Sequence, residues 1–80
     1  EQARRNVVEQ QQKLIVEESL RRARELLLSD PDGSATLLKQ NLSSVRDNPE
    51  IGDRLRSRLV AQLETLLRDV QTRGAFIKQQ

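Results

Sequence analysis

The chain contains 80 residues, of which 14 are lysine or arginine and 12 are aspartate or glutamate, giving a formal net charge of +2. It has no histidine, cysteine, methionine, tryptophan or tyrosine, and a single phenylalanine. Without imidazole and thiol groups, the commonest general base, the main transition-metal ligands and the strongest nucleophile are missing, so most enzyme mechanisms are excluded. We therefore predict one small domain with no catalytic residue, no bound metal and no cofactor.

The N-terminal residues of the chain do not have the pattern of a secretion signal. It starts with Glu1 rather than methionine, and no basic segment followed by an apolar stretch comes after it. Because this does not match a secretion signal, we expect residues 1–80 to be a single helical domain excised from a larger protein. The longest unbroken apolar runs are three residues. About 20 are needed to cross a bilayer, so we predict no transmembrane segment, and the compartment stays undetermined.

The first predicted helix, at about residues 3–29, carries apolar residues on two sides. The side assigned to the core contains Val8, Ile15, Val16, Ser19, Leu20, Ala23, Leu26 and Leu27. A second strip of Val7, Leu14 and Leu28 lies on the other side, with Val7 and Leu14 one heptad apart. We predict that a partner protein or a neighbouring domain docks on this strip. The alternative interpretation is ordinary surface exposure, because scattered aliphatic residues are common on protein surfaces.

The second predicted helix, at about residues 31–47, starts with a capping residue and a proline. Asp30 can accept hydrogen bonds from the first helical N–H groups, and Pro31 fits the first helical position. The same proline disfavours helical geometry in the residue before it, so the first helix must end there. A narrow apolar stripe follows, formed by Ala35, Leu38, Leu42 and Val45. This stripe suits a helix that lies in the groove between two longer helices.

The third predicted helix, at about residues 49–73, follows a second pair of capping residue and proline, Asn48 and Pro49. Its apolar face is regular and contains Leu55, Leu59, Val60, Leu63, Leu66, Leu67 and Val70. Gly74 predicts the end of this helix, because glycine readily adopts the left-handed conformation that often terminates helices. Residues 75–80 would then form a tail that leads to the next segment.

Short connections make consecutive helices antiparallel neighbours, so we predict an all-α fold, an up-down-up three-helix bundle with a long first helix. The unequal helix lengths leave unmatched ends. Residues 1–12 are expected to form an overhanging linker helix, and the end of the chain is expected to overhang the opposite side, with its one aromatic residue outside the three helices. The predicted partner-binding residues are Val7, Leu14, Leu28, Phe76 and Ile77.

Two functions fit this pattern. We predict a non-catalytic helical interaction or spacer domain of a larger protein, which contacts an adjacent domain or an identical copy as a homodimer. The alternative is a nucleic-acid-binding helical module that uses two arginine clusters, residues 21–24 and 54–58. The alternative is disfavoured because many of these arginines have acidic residues at helical spacing, and no aromatic side chains accompany them to stack on bases.

Overall fold

The structure is a computed structural model that describes residues 2–79, with side chains described for residues 6–75. It contains three helices, α1 (Gln2–Leu26), α2 (Pro31–Asp47) and α3 (Asp53–Gln79), and no strand within the described residues. The helices pack against one another as an elongated body of 52 × 17 × 14 Å. The predicted all-α three-helix bundle is therefore confirmed.

The junction between α1 and α2 is a tight turn. Helix α1 ends at Leu26, three residues earlier than predicted. The carbonyl oxygen of Leu26 accepts hydrogen bonds from the N–H groups of Ser29 (3.1 Å) and Asp30 (2.6 Å). The chain has to leave helical geometry before Pro31, because a proline restricts the residue that precedes it. The predicted cap is present, since the Asp30 carboxylate accepts a hydrogen bond from the N–H of Gly33 at 2.9 Å.

The junction between α2 and α3 differs from the prediction that α3 begins at Pro49. Asn48 instead ends α2, with its N–H bonded to the carbonyl of Val45, and its side-chain oxygen accepts from the N–H of Glu50 at 2.9 Å. This turn directs Ile51 into the core, where it is buried. Helix α3 starts only afterwards, at Asp53. Burial of one aliphatic side chain thus takes precedence over a local helix-start signal.

The prediction that Gly74 ends the third helix is wrong. Helix α3 continues to Gln79, and Gly74 lies buried inside it without a positive φ angle. A Cβ atom at this position would lie 3.0 Å from the Cβ of Pro31. The absence of a side chain at Gly74 therefore allows α3 to lie close to the start of α2. Consequently Phe76 and Ile77 belong to α3 and not to a tail, and their side chains lie outside the described residues.

Aliphatic side chains from all three helices and from both helix junctions form the core. The buried residues are Val16, Leu20, Ala23, Leu27, Leu38, Leu42, Val45, Ile51, Leu55, Leu59, Leu63, Leu66 and Val70. Ala35, Leu37, Val60 and Leu67 are partly buried against them. Most predicted core positions are confirmed, but Ile15 is half exposed. Helix α1 therefore buries a narrower stripe than its periodicity predicts.

Helix α2 packs more extensively against α1 and α3 than these two pack against each other. Two polar contacts fix α1 on α2. The buried hydroxyl of Ser34 donates to the carbonyl of Ala23 at 2.7 Å, and the hydroxyl of Ser19 donates to the side-chain oxygen of Asn41 at 2.9 Å. Because each contact requires one axial position of α1, together they set the register of the bundle.

Candidate protein-interaction surface

Four large aliphatic side chains are exposed among the described residues. The exposed fraction is 55% for Val7, 59% for Leu14, 51% for Ile15 and 79% for Leu28. Three of them lie in the first part of α1, and the fourth lies beyond the end of that helix. Exposed aliphatic side chains that cluster on one face are the usual sign of a contact surface.

The three clustered residues share one face of α1 with Val8, which is half buried. We call Val7, Val8, Leu14 and Ile15 the outer patch. The spacing of three, four and seven residues places them on one side of the helix, with the exposed Gln11 between them. The buried residues of α1 lie on the opposite side, and they are Val16, Leu20 and Ala23. The outer patch therefore points away from α2 and α3.

The structure separates Leu28 from the predicted strip. Because α1 ends at Leu26, Leu28 lies in the turn before α2, and the helix from Leu14 to Leu26 is about 18 Å long. Leu28 is thus a solitary exposed leucine. The structure instead places Val8 and Ile15 beside Val7 and Leu14. The sequence pattern predicts Val8 and Ile15 to be in the core.

The first part of α1 is attached to the bundle. The Glu9 carboxylate accepts a hydrogen bond from the N–H of Gly52 at 3.0 Å, directly before the first residue of α3. A carboxylate at this place also faces the positive end of the α3 dipole. The overhang predicted for residues 1–12 is therefore shorter, because the helix already contacts the bundle at Glu9. The outer patch is carried by an anchored helix.

Acidic and basic side chains pair along the exposed part of α1. Arg21 donates hydrogen bonds to the carboxylates of both Glu18 and Glu25. The hydrogen bond from Arg21, together with the positive charges of Arg21 and Arg22, lowers the pKa of the Glu18 carboxyl below its ordinary value. The same contacts raise the pKa of Arg21. This network borders the outer patch on its C-terminal side.

Arg56 belongs to the second arginine cluster in the sequence but holds the α2–α3 junction together. Its guanidinium donates to the carbonyls of Asn48 (2.6 Å) and Ile51 (2.9 Å), and to the carboxylate of Asp53 (2.9 Å). A more distant contact reaches the carbonyl of Val45 at 3.4 Å. Arg56 thus satisfies carbonyl groups that the end of α2 leaves without helical partners.

Two further arginines are also paired within the chain. Arg46 on α2 donates to Glu64 on α3 at 2.7 Å, and Arg73 donates to Asp69 at 3.1 Å. Each pair neutralises charge that a phosphate backbone would otherwise attract. Within the two arginine clusters of the alternative function, Arg21 and Arg56 are likewise engaged in contacts within the bundle.

A groove runs between α1 and α3 on the side away from α2. It has a volume of about 620 Å³, and Leu20 and Leu66 line it together with Arg24 and Asp69. The groove exposes little of these leucines, since both are largely buried.

Among the described residues no group of three or more acidic side chains is placed to hold a metal ion. None of the described helices is both long and apolar enough to span a membrane.

The sequence contains no signal that marks Ile15 as a surface residue. Val8 and Ile15 are one heptad apart, but the buried pair Val16 and Ala23 has the same spacing. Comparison of the chain with protein-family models, with curated proteins and with solved structures yields no match. The arrangement of these side chains is accordingly the basis for a functional interpretation.

Proposed function

We propose that the chain is a non-catalytic helical interaction module, a domain of a larger protein that contacts other protein through the outer patch of α1. The observation that carries the proposal is the exposure of Val7, Leu14 and Ile15 on the face of α1 opposite the core. A helix that needs only one apolar face to join its bundle keeps a second apolar face at a cost in solubility. Contact with another protein offsets that cost.

Two features support a docking role for this surface. The helix beneath it is held by Glu9 at one end and by the buried face from Val16 onward, so the patch lies on a helix that is anchored on both sides. A surface that is already ordered loses less entropy when a partner binds. The exposed amide of Gln11 also lies among the aliphatic side chains, where it can donate and accept hydrogen bonds across a contact.

A photocrosslinking experiment tests this function. Benzoylphenylalanine replaces Gln11, at the centre of the outer patch, and in a control it replaces Gln40, an exposed glutamine of α2. In the cells that produce the protein, we expect a discrete crosslinked product from position 11 and none from position 40. The product should disappear when Val7→Lys is added, since a charge in the contact blocks apolar docking. Absence of a product, or a product indifferent to Val7→Lys, contradicts the proposed function.

A further inference from the structure

We propose that the groove between α1 and α3 binds an acidic amphipathic helix of another protein. This groove is separate from the outer patch, so the two surfaces can be tested independently. Four basic side chains without acidic partners lie along it, and aliphatic side chains form its floor. These features define the chemistry of the partner, which must offer acidic groups on both sides of an apolar stripe.

The groove continues along α1 and α3 for about three helical turns. Gln62 lines the section of about 620 Å³ and also a neighbouring section of about 220 Å³, which lies between Lys13 on α1 and Arg58 on α3. The two sections therefore form one continuous groove. Lys13 lies near one end and Arg24 near the other, and the stretch of α1 between them is about 16 Å long.

Basic side chains line both edges of the groove without acidic partners. Lys13 and Arg24 belong to the α1 edge, and Arg58 belongs to the α3 edge. Arg54 lies one helical turn before Arg58, which places it on the same side of α3. All four side chains are exposed, and none forms an ion pair with a described side chain. Their charges are therefore available to a partner.

Two acidic side chains also line the groove, but one of them is neutralised within the chain. Asp69 is paired with Arg73 at 3.1 Å, whereas Glu17 has no ion pair with a described side chain. Four unpaired positive charges thus lie along the groove with one unpaired negative charge, which leaves a net charge of +3. The whole chain carries only +2, so the groove concentrates its positive charge. A cleft lined by one sign of charge attracts ligands of the opposite sign.

The floor of the groove is aliphatic but offers little area. Leu20, Ala61 and Leu66 line it, and each of the two leucines is only 8% exposed. Charge pairing therefore has to supply most of the attraction. Ala61 and Thr65 lie one helical turn apart on α3, and their short side chains leave room for the backbone of another helix.

An aliphatic floor between charged edges favours a helix over a nucleic acid. An amphipathic helix can lay its apolar residues on the floor while the acidic residues beside them reach the basic side chains. A phosphate backbone would contact the charges but leave the floor unused. The described residues that line the groove include no aromatic side chain on which a base could stack.

A designed peptide is the probe. It has about sixteen residues, with leucine at every third or fourth position and glutamate on both sides of the leucine stripe, and it carries fluorescein. At about 50 mM salt, fluorescence anisotropy should give a dissociation constant of about 10–100 µM. Binding should weaken at least about fivefold at roughly 300 mM salt, because exposed charges are screened. A peptide of the same composition in scrambled order, without the apolar stripe, should also bind at least about fivefold more weakly. No binding, or equal binding of both peptides, overturns the proposal.

Charge reversal at the groove tests the pairing. Lys13→Glu and Arg58→Glu should each weaken binding of the peptide at least about fivefold. Lys39→Glu is the matched control, because it makes the same change at an exposed, unpaired lysine of α2 that lines a different cavity, between α2 and α3. It should change the dissociation constant less than about twofold. Circular dichroism verifies that each variant keeps its helix content. Equal effects of Lys13→Glu and Lys39→Glu would show that only net charge matters, and would overturn the groove as the site.

Two further changes should strengthen binding. Glu17→Gln removes the unpaired negative charge of the groove and should tighten binding of the acidic peptide about twofold to fivefold. A basic peptide, with lysine in place of each glutamate, should bind the Lys13→Glu/Arg58→Glu double variant at least about tenfold more tightly than it binds the original chain. If the basic peptide does not distinguish the double variant from the original chain, the charges of the groove do not select its partner.

NMR of the isotope-labelled chain locates the bound peptide. The backbone N–H signals of Gln62 and Thr65, which lie in the middle of the groove, should shift when the peptide is added. Those of Gln11 and Leu14 in the outer patch should not shift, although the leucines of the peptide could also contact exposed aliphatic side chains. Shifts confined to Gln11 and Leu14 would place the peptide on the outer patch and overturn the groove as its site.

Duplex DNA of about 16 base pairs is the competing ligand. At about 150 mM salt it should bind more weakly than the acidic peptide. If it binds more tightly, and Lys13→Glu and Arg58→Glu abolish that binding, the groove takes a nucleic acid and the acidic helix is overturned. None of these measurements involves the crosslink from position 11, so this proposal and the proposed function can fail separately.

Discussion

At the scale of single residues, Arg56 shows how an apparent surface charge becomes a structural element. The residue lies between Arg54 and Arg58 in the sequence, and both neighbours are exposed. Only Arg56 faces the end of α2, where several carbonyl groups converge on its guanidinium. Its planar fork of donors can contact several acceptors at once, which the single ammonium of a lysine does less well.

We predict that Arg56→Ala lowers the free energy of unfolding by about 1–3 kcal/mol, because partly buried carbonyls lose a charged donor. Arg56→Lys should recover less than half of this loss. Arg54→Ala and Arg58→Ala are the matched controls and should change stability by less than about 0.5 kcal/mol. Urea denaturation of the four variants measures the effect. Equal stability of Arg56→Ala and Arg58→Ala would contradict the role assigned to Arg56.

A second prediction at this scale concerns the ionisation of Glu18. Its hydrogen bond from Arg21 lowers its pKa, so this contact supports the folded chain above the ordinary carboxyl pKa and is lost as the pH falls through the lowered value. Arg21→Ala should raise the midpoint of the Glu18 titration toward the ordinary value of 4.5. NMR detection of the side-chain carboxyl carbon measures this midpoint.

The control for this titration is Arg73→Ala, which removes a similar exposed ion pair, with Asp69 on α3. It should leave the Glu18 midpoint unchanged, because Arg73 is not among the charges that shift the pKa of Glu18. If Arg21→Ala and Arg73→Ala give the same midpoint, Arg21 is not the cause of the lowered pKa.

At the scale of the helices, Gly74 determines how closely the end of α3 approaches the start of α2. Glycine in a helix interior costs about 1 kcal/mol relative to alanine, so its presence inside α3 needs a compensating contact. That contact is the packing of the α3 backbone against Pro31, where an added Cβ atom would lie 3.0 Å from the proline ring. Glycine often ends helices, but Gly74 lies inside α3, where its lack of a side chain lets the helix pack against Pro31.

We predict that Gly74→Leu lowers the free energy of unfolding by about 1–3 kcal/mol, because the new side chain overpacks the contact with Pro31. Ala75→Leu, one position later on an exposed part of the same helix, should be neutral within about 0.5 kcal/mol. Thermal or urea denaturation compares the two variants. A neutral Gly74→Leu would show that the close approach does not contribute to packing.

Helix boundaries could be predicted from sequence where local chemistry decides them. Asp30 and Pro31 start α2 as expected, because the cap and the proline act within one turn. The similar pair Asn48 and Pro49 does not start a helix, because the chain first buries Ile51. That burial depends on side chains that are distant in sequence, and a local pattern carries no information about them.

At the scale of the whole molecule, contacts between residues distant in sequence also decide which side chains of the candidate site are exposed. Periodicity correctly predicted the exposure of Val7 and Leu14, but it assigned Ile15 to the core. The width of the buried stripe on α1 depends on how much of it α2 and α3 cover, and Ile15 lies outside the part that they cover. Only the assembled bundle shows which aliphatic residues remain outside.

The hydrogen bond between Glu9 and Gly52 also has a consequence for the order of folding. It joins residues 43 positions apart, whereas the contacts at the two helix junctions link near neighbours in the chain. Contacts between near neighbours close first, since the entropic cost of loop closure grows with loop length. We therefore expect the first turns of α1 to dock after the start of α3 has formed, and the outer patch to reach its final position late in folding.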